Sequence, residues 1–534
     1  MASRTASAVT CAAVLWLGAG QALPDEPTTR PARNRVGQIR IGRDTTYVTG
    51  PLNADGTVNY VAAINEMYGK GVTPENNAAV LIVKALGPRW LEEKTREKLL
   101  RAMAIGELPD EGRYFVPPFE FARRRYPDKS PEEQEEIKKR LEDSFQGAIG
   151  NVVRPKDHPE LVEWIRLNEE PLRLVLEASK RPRCFIPWVS AEDPPNMGDS
   201  LRRLHPGAPR PVCQALVVRA MLRAGAGDVA AARADLMGVH RLSALARQGP
   251  TLIDYLMGQA VDRLATFAEK ALIRHGELTG EQARAYIAAL QALRPIELPV
   301  DLYDRGERLF ALDFISSVAR DGLDRTLRRR EFEKPKEHFV LPDVELDFNW
   351  WLREQNRMMD EVVLAGRKQT FRQRKASFEK LQTEPPEAVA QVMRQVESRR
   401  LERQRFKILI ENVGTGDKRK LTRAVANLLW HGWDLRDESF FQVADEVRME
   451  RSLVLVGMAL AAYRAERGEY PAALSDLSPA YLKAVPPDIF TDKPLKYRRV
   501  GAGCIVYSLG SDMKDDGGKQ DNGLGPDLVV EVKR

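Results

Sequence analysis

The sequence has little of what metal-dependent or nucleophilic catalysis requires. Its six histidines are scattered over 534 residues, and none forms an H-x3-H or H-E-x-x-H pair that would place two ligands on one helix face. It also has no G-x-S-x-G elbow, no phosphate-binding P-loop and no dinucleotide-binding glycine motif. Carboxylates are abundant, but no pair stands out. The sequence therefore predicts no catalytic residue and no organic cofactor, and it favours a non-enzymatic protein while leaving the question open.

Cysteine is also rare. One of the four cysteines lies in the apolar N-terminal run, which leaves Cys184, Cys213 and Cys504, and their spacing matches no zinc pattern. Two interpretations stay open. A disulfide between Cys184 and Cys213 would close a loop of about thirty residues and contribute roughly 3–4 kcal/mol. Alternatively, all three are small buried hydrophobic residues.

Long apolar runs are missing after the N-terminus. The longest late run, Leu453–Tyr463, has eleven residues and lies between Arg451 and Arg464. A membrane-spanning helix needs about 20 apolar residues. The run therefore predicts a buried helix, and no transmembrane span is expected beyond the N-terminal region.

The first residues have the pattern of a secretory signal. Arg4 precedes a mostly apolar run, Ala8–Ala19, and Gly20-Gln21-Ala22 offers a cleavage site of small residues. An uncleaved membrane anchor is the alternative, but the run is too short to span a bilayer. We predict a signal peptide at residues 1–22 and export to the periplasm or the extracellular space.

The sequence pattern predicts a mainly α-helical mature chain. We predict that residues 23–57 form a linker that includes a hairpin with its turn at Asn53–Gly56, and that residues 58–440 form a helical body. Helix starts carry capping residues: Ser130 and Thr279 head capping boxes, and Thr73 heads a weaker one. Three amphipathic helices separated by short turns between residues 211 and 294 predict antiparallel neighbours, and hence an irregular, helical-repeat or solenoid-like body. Further helices are predicted at residues 92–104, 159–178, 306–320, 345–367, 387–412 and 418–430.

One segment is strongly basic. Between Gly366 and Val425 there are sixteen lysines and arginines and seven aspartates and glutamates, whereas the whole chain has a net charge of +6. Such a segment is either a solvated helix face or a surface for phosphate, anionic lipid or acidic polysaccharide. Nucleic acid is not expected as a partner, because the segment has no interleaved aromatic residues. The candidate anion-binding residues are Arg399, Arg400, Arg403, Arg405 and Lys407, followed by Lys418-Arg419-Lys420.

The adjacent Trp350 and Trp351 suggest a stacking surface for a sugar. Neighbouring residues on a helix point about 100° apart, so both indoles do not line one flat site. We therefore predict that one of the two lies in the core.

The C-terminal residues 441–534 change from purely helical to mixed patterns. A helix with an apolar stripe ends near Gly468, where glycine terminates it and Pro471 prevents its continuation. Strands are predicted at Leu495–Arg499, Cys504–Ser508 and Leu528–Val532. The predicted module is one long helix packed on a small antiparallel sheet, with an Asp- and Gly-rich loop before the last strand.

This region resembles the soluble domain of the major pseudopilins of type II secretion. The resemblance is carried by an ordered set of residues from Tyr463 to Leu528: Tyr463, Gly468, Tyr470-Pro471, Leu474, Leu477, Pro487-Asp488, Pro494, Tyr497, Tyr507-Ser508-Leu509-Gly510-x-Asp512 and Asp527. The rest of the chain resembles large exported proteins of planctomycete bacteria, which implies no activity. True pseudopilins begin with a basic leader and a polymerising apolar helix, whereas this module follows some 440 residues.

The resemblance implies a calcium site in the acidic loop. Asp512 and the Leu509 carbonyl match the family's ligands, and Asp521 is a looser match. Ca²⁺ takes six to eight oxygen ligands, which flexible Asp- and Gly-rich loops supply. A solvated acidic turn is the alternative.

Three functions follow as hypotheses. The first is an exported scaffold or binding protein for an unidentified protein or envelope polymer, with a calcium-stabilised pseudopilin-like module. The second is a component associated with a type II secretion-like system. The third is an envelope-polymer hydrolase or lyase that uses carboxylates without a sequence signature.

Overall fold

A computed structural model describes residues 36–201, 209–328, 340–382, 384–396, 402–433, 438–519 and 527–532. Within these ranges the protein is mainly helical and carries one small sheet, as predicted. The predicted signal peptide lies outside the described residues. No described helix is long and apolar enough to cross a bilayer.

The helical body is built from short and medium helices joined by tight turns. Their N-terminal half comprises α1 (Tyr60–Gly69), α2 (Ala78–Leu86), α3 (Arg96–Ala102), α4 (Pro118–Arg125), α5 (Pro131–Gly150), α6 (Pro159–Leu167), α7 (Glu169–Ala178), α8 (Met197–Ser200), α9 (Pro209–Gly225), α10 (Val229–Ala246) and α11 (Leu252–His275). The second half comprises α12 (Gly280–Gln291), α13 (Val300–Leu302), a π-helical turn (Tyr303–Glu307), α14 (Arg308–Asp321), α15 (Leu323–Arg328), α16 (Phe348–Gly366), α17 (Phe371–Leu381), α18 (Glu387–Gln395), α19 (Glu402–Val413), α20 (Lys418–Trp433) and α21 (Ser439–Arg467).

Local capping chemistry places many of these helix starts. Ser130 and Thr279 form complete capping boxes, as predicted, and the Asp228 side chain caps α10. In each case a side-chain oxygen accepts a hydrogen bond from a backbone N–H that has no partner within the helix. Thr251 forms a further box at the start of α11. The antiparallel sequence of α9, α10 and α11 therefore follows from signals within a few residues of each turn.

Two local predictions near the N-terminus are wrong. Thr73 does not start a helix, because α2 begins at Ala78 with Asn77 as its cap. The predicted hairpin is reduced to a single bridge between Leu52 and Val58. The segment after the turn does not form a strand, because the Asn59 side chain caps α1 and the chain continues as a helix from Tyr60.

The C-terminal sheet matches its prediction to within one residue at each strand end. Strands β1 (Lys496–Val500), β2 (Gly503–Ser508) and β3 (Leu528–Val532) form an antiparallel sheet in the order β1-β2-β3. Helix α21 ends at Gly468, whose left-handed conformation (φ 80°) suits a residue without a side chain. The helix packs on β2 and β3, as the predicted packing of one long helix on a small antiparallel sheet requires.

Helix α21 also packs against the body. It contacts α11 and α12, and α11 also contacts β3. Its C-terminal half, including Leu453 and Leu460, belongs to one apolar core with α9–α12 and the sheet. Its N-terminal residues Phe440 and Phe441 belong to a second core with α14, α16 and α20. One helix thus joins the two main cores of the described chain.

The remaining predictions about single residues have clear outcomes. Trp351 is 1% exposed whereas Trp350 is partly exposed, which confirms that one of the two indoles lies in the core. Cys184, Cys213 and Cys504 are free thiols, and burial raises the pKa of each to about 12. The structure therefore corresponds to the second interpretation, in which the cysteines serve as small apolar residues.

Candidate functional site

The acidic loop after β2 contains most of the residues predicted to bind calcium. Asp512 is exposed, and its Oδ1 accepts a hydrogen bond from the Lys514 N–H at 3.0 Å. The Leu509 N–H donates to Asp488 at 3.0 Å, which fixes the start of the loop. Asp521 lies outside the described residues. Among the residues that the structure does describe, no three His, Cys, Asp or Glu side chains are grouped to hold a metal ion.

Asp527, at the end of the same loop, carries an unusual carboxylate. It is fully buried, and its Oδ2 accepts a hydrogen bond from the Gly518 N–H at 2.8 Å, while its Oδ1 has no hydrogen-bond partner among the described residues. Burial raises the pKa of Asp527, and the nearby charges of Asp516 and Asp515 raise it further. A buried carboxylate oxygen without a donor is costly, and a hard cation would satisfy it.

The predicted anion-binding residues are not brought to one exposed face. Arg403 is 3% exposed and pairs with Asp324 at 3.0 Å. Arg405 is also buried and donates two hydrogen bonds to the Val396 carbonyl. Lys407 is partly buried, and Arg399 and Arg400 lie outside the described residues. The two buried guanidinium groups thus tie α19 to its neighbours instead of facing solvent.

A buried charge network, which the sequence does not reveal, lies between α10, α11 and α21. At its centre is His240 on α10, whose Nδ1 lies 3.0 Å from Oδ1 of Asp262 and whose Nε2 lies 3.2 Å from Oε2 of Glu269. Both carboxylates belong to α11, and all three side chains are fully buried. A histidine with a carboxylate on each ring nitrogen is best satisfied as an imidazolium that donates to both.

Helix α21 completes this network. Arg451 forms an ion pair with Asp262, and its other terminal nitrogen donates to the Arg294 carbonyl at 3.1 Å. Ser243 donates a further hydrogen bond to Asp262 at 3.0 Å. Asp262 Oδ1 thereby accepts from groups on α10 and α21 together. The network therefore fastens the C-terminal helix to the body through charge as well as through apolar contact.

The electrostatics of the network favour the ionised forms. Burial alone would lower the pKa of His240, but the charges of Glu269 and Asp262 outweigh it and raise the pKa to about 9. Burial alone would raise the pKa of Asp262, but His240 and Arg451 outweigh it and hold the pKa well below its usual range. At neutral pH His240 is thus a buried imidazolium that is paired with the ionised Asp262.

The network of His240, Asp262 and Glu269 contains residue types that are common in active sites, but a substrate cannot reach them. Acid–base catalysis needs its groups within hydrogen-bond reach of a substrate. His240, Asp262 and Glu269 are each fully buried, so a substrate has no contact with them in this conformation. The geometry instead supports a structural role, in which the ion pairs hold the helices together. A buried charge is tolerated when it is paired and is costly when it is not.

An exposed cluster makes a second attachment between body and module. Arg284 on α12 forms two hydrogen bonds to Glu466 on α21, at 2.6 and 2.9 Å, and its guanidinium lies 4.4 Å from the ring centroid of Tyr481. The Tyr481 hydroxyl donates to the same carboxylate at 2.8 Å. Hydrogen bonds from Arg284 and Tyr481 lower the pKa of Glu466 to about 2. A planar guanidinium that binds a carboxylate in this forked manner also fixes its orientation.

No protein-family model, no curated protein and no solved structure matches this chain. Its function is therefore inferred from the residues and contacts described above.

Proposed function

We propose that the chain is an exported, non-enzymatic scaffold or binding protein, with a helical-repeat-like body and a pseudopilin-like C-terminal module. The observation that carries the proposal is the position of α21. Its residues Val454, Val456, Met458 and Leu460 are buried although they point to different sides of the helix. The body helices α11 and α12 and the strands β2 and β3 all contact it. A helix that is buried in this way stabilises the packing of the body and the module, as a rigid scaffold requires.

The same observation separates this proposal from assembly into a pseudopilus. Polymerisation through α21 would require an apolar helix face that is free to pack on another copy. Along the described apolar stretch of α21, both sides are already occupied by α11, α12 and the sheet. The module thus serves the fold of this chain, and solenoid-like helices provide the extended surface on which a partner binds.

The proposal is tested by separating binding from turnover. The full mature chain is immobilised and exposed to polymers extracted from bacterial envelopes, and bound and unbound polymers are compared by size-exclusion chromatography. We expect retention of envelope polymer or its attached protein with no change in polymer length, and no retention by the heat-unfolded chain. Shortened polymer would establish the hydrolase or lyase instead, and no retention of any envelope component would overturn the proposal.

As part of this proposal, the loop between β2 and β3 binds calcium. The support is its set of hard oxygen donors and the buried Oδ1 of Asp527, for which the described part of the chain offers no hydrogen-bond donor. Asp512 and the Leu509 carbonyl would supply further oxygens, and Asp521 would add another. The ion would neutralise the repulsion among Asp515, Asp516 and Asp527 and hold the loop against the sheet.

We expect a chelator to lower the melting temperature and added Ca²⁺ to restore it, whereas Mg²⁺ should restore it poorly because it requires a stricter geometry. An ion present at about 100 times its Kd stabilises the folded chain by about 2.7 kcal/mol. Asp512→Ala and Asp527→Asn should each abolish the response to calcium in differential scanning calorimetry. Asp128→Ala, an exposed acid in the body, is the matched control and should keep it. A melting curve unchanged by both chelator and Asp512→Ala would refute the calcium site.

A further inference from the structure

The N-terminal turns of α16 and α20 meet at a surface that combines cations with an aromatic ring. The Asp347 N–H donates to the Thr422 hydroxyl at 2.9 Å, which joins the start of α16 to α20. This contact places the partly exposed Trp350 beside Arg423, whose guanidinium carbon lies 5.8 Å from the centroid of the indole. Residues that are 73 positions apart in sequence thus form one patch.

The α20 side of the patch is uniformly basic. Its exposed cations are Lys418, Arg419, Lys420 and Arg423. Arg419 and Arg423 are one helical turn apart, about 6 Å along the axis, and lie on the same face. Among the described residues none of the four forms an ion pair, whereas most other arginines on the described helices do.

These cations do not stabilise their own helix. Positive side chains in the first turn of a helix are repelled by the positive end of its dipole. The nearest carboxylates on the two helices, Asp417 and Asp347, are both used as caps and accept backbone N–H groups at 3.0 Å. The concentration of positive charge therefore serves something other than the local fold.

We propose that this patch binds an acidic polysaccharide. The sugar rings of such a polymer offer C–H faces that stack on an indole, and their carboxylates pair with guanidinium groups. Trp350 supplies the stacking surface, and Arg419, Lys420 and Arg423 supply the paired charges. The proposal rests on the proposed function and names the class of ligand for it.

A membrane surface fits the patch less well. Interfacial binding buries apolar side chains that project into the lipid boundary. Trp350 is only partly exposed and has the Arg423 guanidinium over its ring, and among the described residues of α20 there is no exposed large apolar side chain. A half-buried ring offers a flat face for stacking instead of a projecting anchor.

The test uses sodium polygalacturonate as the acidic polymer and dextran as the neutral one, titrated into the full mature chain in a calorimeter. We expect polygalacturonate to bind, dextran not to bind, and the affinity to fall as salt is added, because the charges are exposed. The double variant Arg419→Ala/Arg423→Ala should bind about tenfold more weakly, since each exposed ion pair contributes only modestly to affinity. The matched control Lys139→Ala/Lys156→Ala removes two exposed cations elsewhere and should leave the affinity unchanged.

A second pair of variants tests the aromatic contribution. Trp350→Ala should also weaken binding about tenfold, because stacking on an aromatic side chain contributes to affinity. Trp350→Phe should restore most of the affinity, which a role in folding alone or in charge attraction alone does not predict. Circular dichroism confirms that each variant is folded.

Four results would overturn the inference. They are no binding of polygalacturonate by the wild-type chain, unchanged affinity in the double variant, equal affinity for phosphatidylglycerol vesicles and polygalacturonate, and binding to the vesicles alone. Each leaves the proposed function standing as long as the immobilised chain still retains another envelope component.

Discussion

Replacing Asp262 by alanine is expected to destabilise the protein by about 3–5 kcal/mol, the largest effect of any single carboxylate substitution that we predict. Asp262 is fully buried and accepts from His240, Ser243 and Arg451. Its removal leaves a buried imidazolium with only one carboxylate and a guanidinium with no counter-charge. Removing one partner of a buried pair costs far more than the pair itself contributes, because the charge left behind stays desolvated.

The measurement is the urea midpoint of unfolding, followed by circular dichroism and by tryptophan fluorescence. The matched control is Asp157→Ala, an exposed carboxylate 3.7 Å from Arg154, whose loss should shift the stability by less than about 0.5 kcal/mol. If the two variants unfold at similar urea concentrations, the buried network does not hold α21 to the body. A transition that splits into two would show that the module has separated from the body.

The second large effect is a loss of stability at alkaline pH. The pKa of His240 is raised from its usual 6.5 to about 9 in the folded protein, so the folded state holds this proton more tightly than the unfolded state. The resulting stabilisation is complete below pH 6.5 and is lost as the pH rises through 9. A difference of about 2.5 pH units corresponds to about 3 kcal/mol.

The contribution of His240 is isolated by comparing the wild-type chain with His240→Gln over this range. Glutamine keeps polar contacts to the carboxylates but does not titrate, so the variant should be less stable near pH 6 and should show a flatter profile between pH 6.5 and 9. Glu307 and Asp313, whose pKa values burial raises to about 7 and about 6, act equally in both proteins and cancel in the difference. Parallel profiles would show that His240 is neutral in the folded state.

The features predicted from sequence are those set within a few residues. Thr279 and Ser130 allow their helix starts to be predicted from sequence, because the donor and acceptor of each cap are three residues apart. Gly468 ends α21 and the paired strands follow at their predicted positions, because a glycine and the alternation of side chains act locally. Asn59 shows where local patterns fail. The residue itself does not distinguish a helix cap from a strand position, and only the ten residues that follow identify the helix.

The buried network had no local signal. His240 and Asp262 are 22 residues apart and Arg451 is a further 189 residues away, so only the packing of α10, α11 and α21 brings them together. The same reason explains the basic segment. Charge counting treats Arg403 and Arg405 as part of a solvated face, whereas Asp324 and the Val396 carbonyl satisfy them inside the fold. The useful sequence signal was the rarity of histidine, which makes each buried one worth inspection.

The place of α21 in both cores has a consequence for how the chain matures. Neither core is complete until α21 has been made, so a nascent chain exposes the apolar faces of α9–α12 and of α14–α16 until then. Contacts this distant along the chain form late and slowly. A protein built in this way completes both cores only after α21 has been made.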